Sequence, residues 1–365
     1  MAELIIHTDS IKANITYLSE YFDRHHIAWS LITKVFSGDQ EFLKQVLSKE
    51  VIAKINSIGD SRLGSLRNLR AVNPNMRTIY IKPPAEIYAD EVVSYADISL
   101  NSSFSTIDAL NTAAGKIGKV HQIIIMIEMG ELREGVNQSE VIAFYERIFR
   151  LPNIEVIGIG SNLGCMYGVA PSREKLEQLA DYKRQIERTF NRDLPLVSGG
   201  TSITLPLVES GEMPKEINHF RVGEAAFFGL SPLKNERFGE LSTKTFEIYA
   251  NIIELEEKNI VPEGTIGDAA IGHAAQFRQT DIGITSTKAI LDFGLLDVDK
   301  KDLEPVDLSL GFVGITSDML VLDLGSNTTA DGKPKYKAGD KVEFKPNYMT
   351  VARLLNSKFI DKVYL

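Results

Sequence analysis

The sequence predicts an α/β fold, a (β/α)8 TIM barrel followed by a C-terminal β-rich domain. Three observations carry this expectation. Short apolar runs rich in Ile and Val alternate with longer amphipathic stretches, the pattern of βα units that build a parallel sheet. Eight such runs fall before residue 235, which matches one barrel in count and in length. From about Phe238 the texture changes to β-rich segments separated by Gly, Pro and Asp.

The first helix is expected from Asp9 to about Phe22, with Asp9 or Ser10 free to accept the first-turn N–H groups. Strands are expected at Ala28–Thr33, Ile52–Ser57, Thr78–Ile81, Ile98–Leu100, Gln122–Glu128, Val156–Ser161, Pro195–Val197 and Asn218–Val222. The clearest of the helices between them is Ser172–Phe190, where Leu176, Leu179, Ile186 and Phe190 recur on one face. This places the barrel at residues 8–235 and the β-rich domain at 236–365, with residues 1–7 available to join the latter. In that domain the expected β segments are Thr245–Leu255, Lys288–Phe293, Leu308–Leu324 and Val342–Phe344.

The 365 residues are 44% apolar, and 40 Lys+Arg against 49 Asp+Glu give a net charge of −9. Without a basic tract, that balance argues against a dedicated nucleic-acid or anionic-membrane binder, because counterion release needs clustered cations. The single cysteine, Cys165, can form no intramolecular disulfide and leaves no Cys-based zinc site. The opening MAELIIHTDS lacks a basic start and an apolar core, and no apolar run approaches the ~20 residues of a membrane span, so a cytoplasmic location is expected. The six histidines show no ligand spacing, and no metal is expected.

In a barrel of this kind functional groups sit at the C-terminal ends of strands and in the loops that follow. The first strand runs into SLITKVFSGD, which delivers Lys34 to the barrel mouth. An ammonium there is costly unless it is paired, has a depressed pKa or is used covalently, as in a lysine Schiff base; alternatively it reaches solvent beyond the strand. The loops after strands seven and eight, LVSGGTSITLP at 196–206 and HFRVGEAAFFG at 219–229, are both glycine turns. Gly200, Thr201, Ser202, Gly223 and Glu224 could offer N–H or hydroxyl donors there, and the two loops at this topological place favour a phosphate-bearing cofactor.

A lysine ending strand one, an arginine in strand eight and the phosphate loops together resemble the alanine racemase-like, fold type III family that uses pyridoxal 5'-phosphate. The resemblance is closest to its alanine/ornithine racemase branch. It covers nearly the whole chain, through TKVFSGD at 33–39, GDSRLGSLRNL at 59–69, MIEMGELREGV at 126–136, GIGSNLGCMYG at 158–168, SGGTSITLP at 198–206, RVGEAAFFG at 221–229, VGITSDMLVLD at 313–323 and KPNYMTVARLL at 345–355. The resemblance implies an amino-acid racemase in which Lys34 forms the Schiff base and moves the α-proton on one face. It implies that Arg221 faces the pyridine nitrogen and that Ser202, Gly223, Glu224 and Tyr348 hold the phosphate. Arg133 would lie near the cofactor's phenolate oxygen and the substrate carboxylate; its bland alternative is a surface arginine paired with Glu131 or Glu134. The resemblance further implies a head-to-tail homodimer in which Ser317 and Asp318 reach the other chain's site.

The sequence also departs from the family pattern. Leu295, in FGLLDVD at 293–299, stands where a tyrosine base is usual, Met126 where a lysine is usual, and Asn162 where a histidine often stacks on the cofactor. The second acid/base is therefore open among Cys165, Tyr167, Asp268, Ser317 and Asp318, with Asp318 ranked above Cys165 for substrate contact. A carboxylate at Asp318 could receive a cationic side chain such as that of ornithine or lysine. The competing readings are other chemistry at Cα, as a decarboxylase, aldolase or dehydratase, and a non-catalytic cofactor-binding protein.

Overall fold

A computed structural model of the chain describes residues 1–267 and 272–365. The chain divides into two compact units, Thr8–Thr245 and a second made of Met1–His7 with Phe246–Leu365. Residues 236–245 stay with the first unit, where Phe238 and Leu241 are buried and Tyr21 meets Phe238 edge-on at 5.2 Å.

The N-terminal strand β1 (Glu3–Ile6) belongs to the second unit. The barrel is built from β2 (Ala28–Ile32), β3 (Ser57–Asp60), β4 (Thr78–Tyr80), β5 (Ile98–Asn101), β6 (His121–Met126), β7 (Ile154–Gly160), β8 (Leu196–Ser198), β9 (Gly200–Thr201) and β10 (His219–Val222). They form one parallel sheet in the order β8, β7, β6, β5, β4, β3, β2, β10, β9. The two ends of that path, β8 and β9, are separated by Gly199 alone, so the chain itself closes the ring. Ser198 pairs with Gly160 of β7, and Thr201 pairs with Arg221 of β10.

One strand differs from the expectation. Ile52 ends a short helix, Lys49–Ile52, because the Ser48 hydroxyl accepts from Val51 N at 3.3 Å and starts that turn. The strand begins later, at Ser57, where the backbone pairs with β2 on one side and β4 on the other. The first helix is Thr8–Arg24, so Asp9 lies inside its first turn, where its carboxylate accepts from Lys12 at 2.9 Å, instead of capping it. Ile11, Ile15, Leu18 and Phe22 form its buried stripe, and Phe22 packs on Trp29 and Phe220. Ser172 caps Arg173–Phe190 by accepting from Lys175 N at 3.3 Å.

The packing within the sheet is unevenly divided. Ile32, Ile79, Ile98, Leu100, Ile124, Met126 and Ile157 form one apolar cluster, each worth about 1.5–3 kcal/mol of burial. Strands β2, β3, β8 and β10 also bury polar side chains, Ser30, Ser57, Ser198, His219 and Arg221.

The second unit is a mixed sheet in which β1 lies between Phe246–Asn259, antiparallel, and Asp361–Tyr364, parallel. The expected segment Leu308–Leu324 is two antiparallel strands, Gly311–Ile315 and Leu320–Asp323, folded by a turn at 316–319. Among the described residues no helix is long and apolar enough to cross a membrane.

Candidate active site

The mouth of the barrel is set by how closely β2 and β10 approach. At the end of β2, Thr33 N donates to Gly59 O at 2.8 Å, and the chain turns through a 3-10 segment, Lys34–Phe36, that leaves Lys34 exposed. At the end of β10, a Cβ on Gly223 would stand 2.7 Å from the carbonyl oxygen of Ile32, so only glycine lets the two strand ends meet this closely. Glu224 follows. Burial raises its carboxyl above the ordinary range while the charge of Lys34 opposes that rise, which puts ammonium and carboxyl in one neighbourhood. The Ser202 hydroxyl, buried, accepts from Ala225 N at 3.1 Å and so ties the loop after β9 to the loop after β10. The Ser202 proton is left to be donated.

Arg221 is 7% exposed. It donates to the carbonyl of Ser161 and to the carbonyl of Ser198 at 2.7 Å each, and to the Ser198 hydroxyl. Burial lowers its pKa to about 10; the nearby charge of Glu134 opposes this and that of Arg133 adds to it. It remains a cation at neutral pH, held by neutral acceptors. Beside it, Ser161 Oγ and Asn162 Nδ2 are buried without a hydrogen-bond partner.

Arg133 reaches the same mouth from the loop after β6. It pairs with Glu134, and its Nη1 donates to Cys165 Sγ at 2.7 Å. Of the two alternative partners, then, Glu134 is the one it holds. Glu131 is turned inward instead, and its carboxylate accepts from Cys165 N, Met166 N, Tyr167 N and Val169 N at 3.1, 2.6, 2.9 and 2.8 Å. Burial works against that charge, but the four donors outweigh it and pull the carboxyl down to about 2. Glu131 thereby fixes the loop that carries Cys165 and Tyr167; Tyr167 itself is exposed.

Ser317, Asp318 and Tyr348 lie in the second unit. Ser317 Oγ donates to Asp318 at 3.0 Å in the exposed turn at 316–319. That turn is knitted to the FGLLDVD segment: Leu295 N donates to Thr316 O and Leu296 N to Ser317 O, both at 2.9 Å. A Cβ on Gly294 would lie 2.6 Å from the amides of Asp318 and Met319. Asp318 therefore neighbours the FGLLDVD segment that carries Leu295. Tyr348 opens the helix Tyr348–Asn356, capped by Asn347, which accepts from Thr350 N at 3.0 Å. Asp268 lies outside the described residues.

The structure thus gathers Lys34, Arg133, Asn162, Cys165, Ser202, Arg221, Gly223 and Glu224 in one unit, at or just beyond strand ends. Sequence reasoning missed Glu131, Ser161 and His219. The signal for Glu131 was a loop, NLGCMYG, with two glycines and few side chains able to satisfy its own amides.

The profile of the family described as "Alanine racemase, N-terminal domain" matches residues 6–232. The chain belongs to that family. It is 33% identical over 364 residues to an ornithine racemase of Acetoanaerobium sticklandii, covering 100% of this chain and 99% of the relative. It is 32% identical over 361 residues to a lysine racemase of Thermotoga maritima, covering 99% and 98%. The fold is that of an alanine racemase from Bartonella henselae with covalently bound pyridoxal phosphate, at a TM-score of 0.70 and 18% identity over 100% of this chain and 99% of that one. The full-length likeness to two racemases places this alanine racemase family member among the amino-acid racemases.

The residues present fit the family's cofactor. Ser161 Oγ and Asn162 Nδ2 offer unused polar atoms, Ser202 has a proton to give, and Arg221 offers donors with no carboxylate among its hydrogen-bond partners.

Proposed function

We propose that this chain is a pyridoxal 5'-phosphate-dependent racemase of basic amino acids, ornithine or lysine, that works as a homodimer. The observation that carries the reading is Arg221, a buried cation bound only by neutral acceptors, in the same barrel end as Lys34 and the Ser202–Gly223 loops. When bound, the cofactor supplies a sink for the electrons released as the α-proton leaves.

The chain's own residues do the rest. Lys34 supplies the amine that anchors the cofactor and carries the α-proton on one face. Arg221 can only donate, so a ring nitrogen held against it would stay unprotonated, which would weaken the sink and favour returning the proton to Cα over other outcomes. Ser202 Oγ and the N–H groups of Gly223 and Glu224 would hold the phosphate. Arg133, oriented by Glu134, takes the substrate carboxylate. Cys165, held against Arg133, is the barrel's group for the proton on the opposite face. Ser317 and Asp318 act from the second subunit, and Asp318 receives the distal ammonium of the substrate.

The test follows L- and D-ornithine and lysine in heavy water, reading α-deuterium incorporation together with optical rotation. Exchange with loss of rotation is expected. Exchange on one enantiomer alone would mean other chemistry at Cα, and no exchange would mean a binding protein. Borohydride reduction and peptide mapping should put the label on Lys34; a label elsewhere sinks the mechanism. Asp318→Asn should raise KM for ornithine and lysine about 10-fold, by the loss of one ion pair of ~1–2 kcal/mol.

A further inference from the structure

Behind Arg221 a line of hydrogen bonds runs through side chains that the mechanism above does not use. Arg221 Nη1 reaches Ser198 Oγ; Ser198 Oγ meets His219 Nδ1 at 2.7 Å; His219 Nε2 meets Ser30 Oγ at 3.0 Å; Ser30 Oγ meets Ser57 Oγ at 2.7 Å. All five residues are buried, and four different barrel strands supply them.

Counting protons gives the line a direction. A guanidinium has donors only, so Ser198 Oγ accepts from Arg221. The one proton of the Ser198 hydroxyl then has His219 Nδ1 as its acceptor along this line. With Nδ1 accepting, the neutral ring carries its proton on Nε2 and gives it to Ser30 Oγ, which in turn gives its own to Ser57 Oγ. The reverse assignment points two donors at Ser198 Oγ and strands the serine proton, at a cost of about 1–3 kcal/mol in a dry interior. The charged groups that act on the ring are Arg221 and, at the start of β4, Arg77. Burial first, then these two cations, hold the imidazole pKa down to about 3, so it stays neutral.

We infer that His219, as the neutral Nε2–H tautomer, is a positioning residue that acts through Ser198 to hold the Arg221 guanidinium toward Ser161 at the end of β7. Accepting the serine proton leaves the lone pairs of Ser198 Oγ to Arg221, so the guanidinium keeps a third fixed acceptor besides its two carbonyls. A merely space-filling histidine would do none of this. The inference rests on the role of Arg221 proposed above, and its test separates the two.

The first arm is 15N NMR of the full chain labelled at histidine, without added cofactor. Nδ1 should show the pyridine-like shift and Nε2 the pyrrole-like one, with no titration between pH 5 and 8. A proton on Nδ1, or a ring that titrates in that range, overturns the inference with no variant needed. The second arm loads the protein with pyridoxal 5'-phosphate and compares His219→Asn, whose amide oxygen can still accept from Ser198 near the Nδ1 position, with His219→Leu. His219→Leu should lower kcat about 10-fold at unchanged KM and shift the cofactor's visible absorption, whereas His219→Asn should recover most of both. Equal behaviour of the two variants, each checked as folded by its melting temperature, overturns the inference. If the NMR result holds but Arg221→Lys leaves the visible spectrum unmoved, the reading of Arg221 fails and the hydrogen-bond line stands.

Discussion

Glu131→Gln isolates what one buried carboxylate does for the site. Oε1 takes the amides of Cys165 and Val169, and Oε2 those of Met166 and Tyr167. Glutamine keeps one oxygen and replaces the other by an NH2 group, so two of the four amides lose their acceptor and face a donor. Hydrogen bonds to a charged group are worth about 1.5–3 kcal/mol each, and some of the loss is recovered as the loop relaxes and admits water. A net loosening of about 3 kcal/mol remains, equivalent to roughly a 100-fold rise in the open population of the loop. Hydrogen exchange at residues 165–169 should therefore quicken about 100-fold, while exchange in β5 and β6 stays as it was, because the change is local. The same logic fixes the acid response. The native carboxyl lies below its ordinary value of 4.5, so this loop anchor is at full strength above that pH and is lost as pH falls toward about 2. In the glutamine variant that acid step should vanish. Unchanged exchange at 165–169 in a folded Glu131→Gln protein would refute the reasoning, since it would mean that the four amides do not depend on the carboxylate.

Asp60 is fully buried, with Oδ1 accepting from Arg62 N at 2.9 Å and Oδ2 without a partner. Burial raises its carboxyl from 3.8 to about 6, against the pull of the Arg62 and Ser61 amides. A raised acid penalises the native state as it ionises: the penalty is absent below about pH 3.8, grows as pH rises, and is complete above about 6, at an upper bound of about 3 kcal/mol. Asp60→Asn should accordingly raise the melting temperature at pH 7.5 and leave it unchanged at pH 3.5; a gain of the same size at both would contradict this. Gly223→Ala sets a methyl 2.7 Å from the Ile32 carbonyl and should cost about 1–3 kcal/mol, read as a lower melting temperature and a weaker Kd for pyridoxal 5'-phosphate. Gly294→Ala pushes on the amides of Asp318 and Met319 and should raise KM for ornithine as Asp318→Asn does, with the barrel's own exchange pattern intact.

The strands that the sequence announced are those whose own residues are strand formers. QIIIM in β6 and VIGIG in β7 could be read directly, because both faces of each are buried and the runs are continuous. Strand β3 was misplaced for the opposite reason. SIGD contains two residues that strands disfavour, and it is a strand because Ser30 and Ile32 pair with it on one side and Thr78 and Tyr80 on the other. The apolar VIAKI just before it looked more like one, until Ser48 turned its start into a helix. The N-terminal strand β1 pairs with residues 246–249 and 361–364, partners that no local pattern can name.

The site divides along the same line. Lys34 and Arg221 could be placed from sequence because their places follow from strand ends and loop order, which are local. His219 carries no mark in the sequence, because its partners are serines on other strands. Ser30 stands on β2, which pairs with His219's own strand, whereas Ser198 on β8 reaches His219 only as the ring closes at Gly199. Glu131 stands two positions from Arg133 in the chain, yet it serves amides more than thirty residues away. These two groups hold the functional residues from behind, Glu131 through backbone amides and His219 through Ser198. A residue that reacts must sit where the fold exposes it, and topology shows that place; a residue that holds another needs only to lie within about 3 Å of it, and closure alone decides that. The variants at His219 and Glu131 therefore test the part of this site that its sequence could not show.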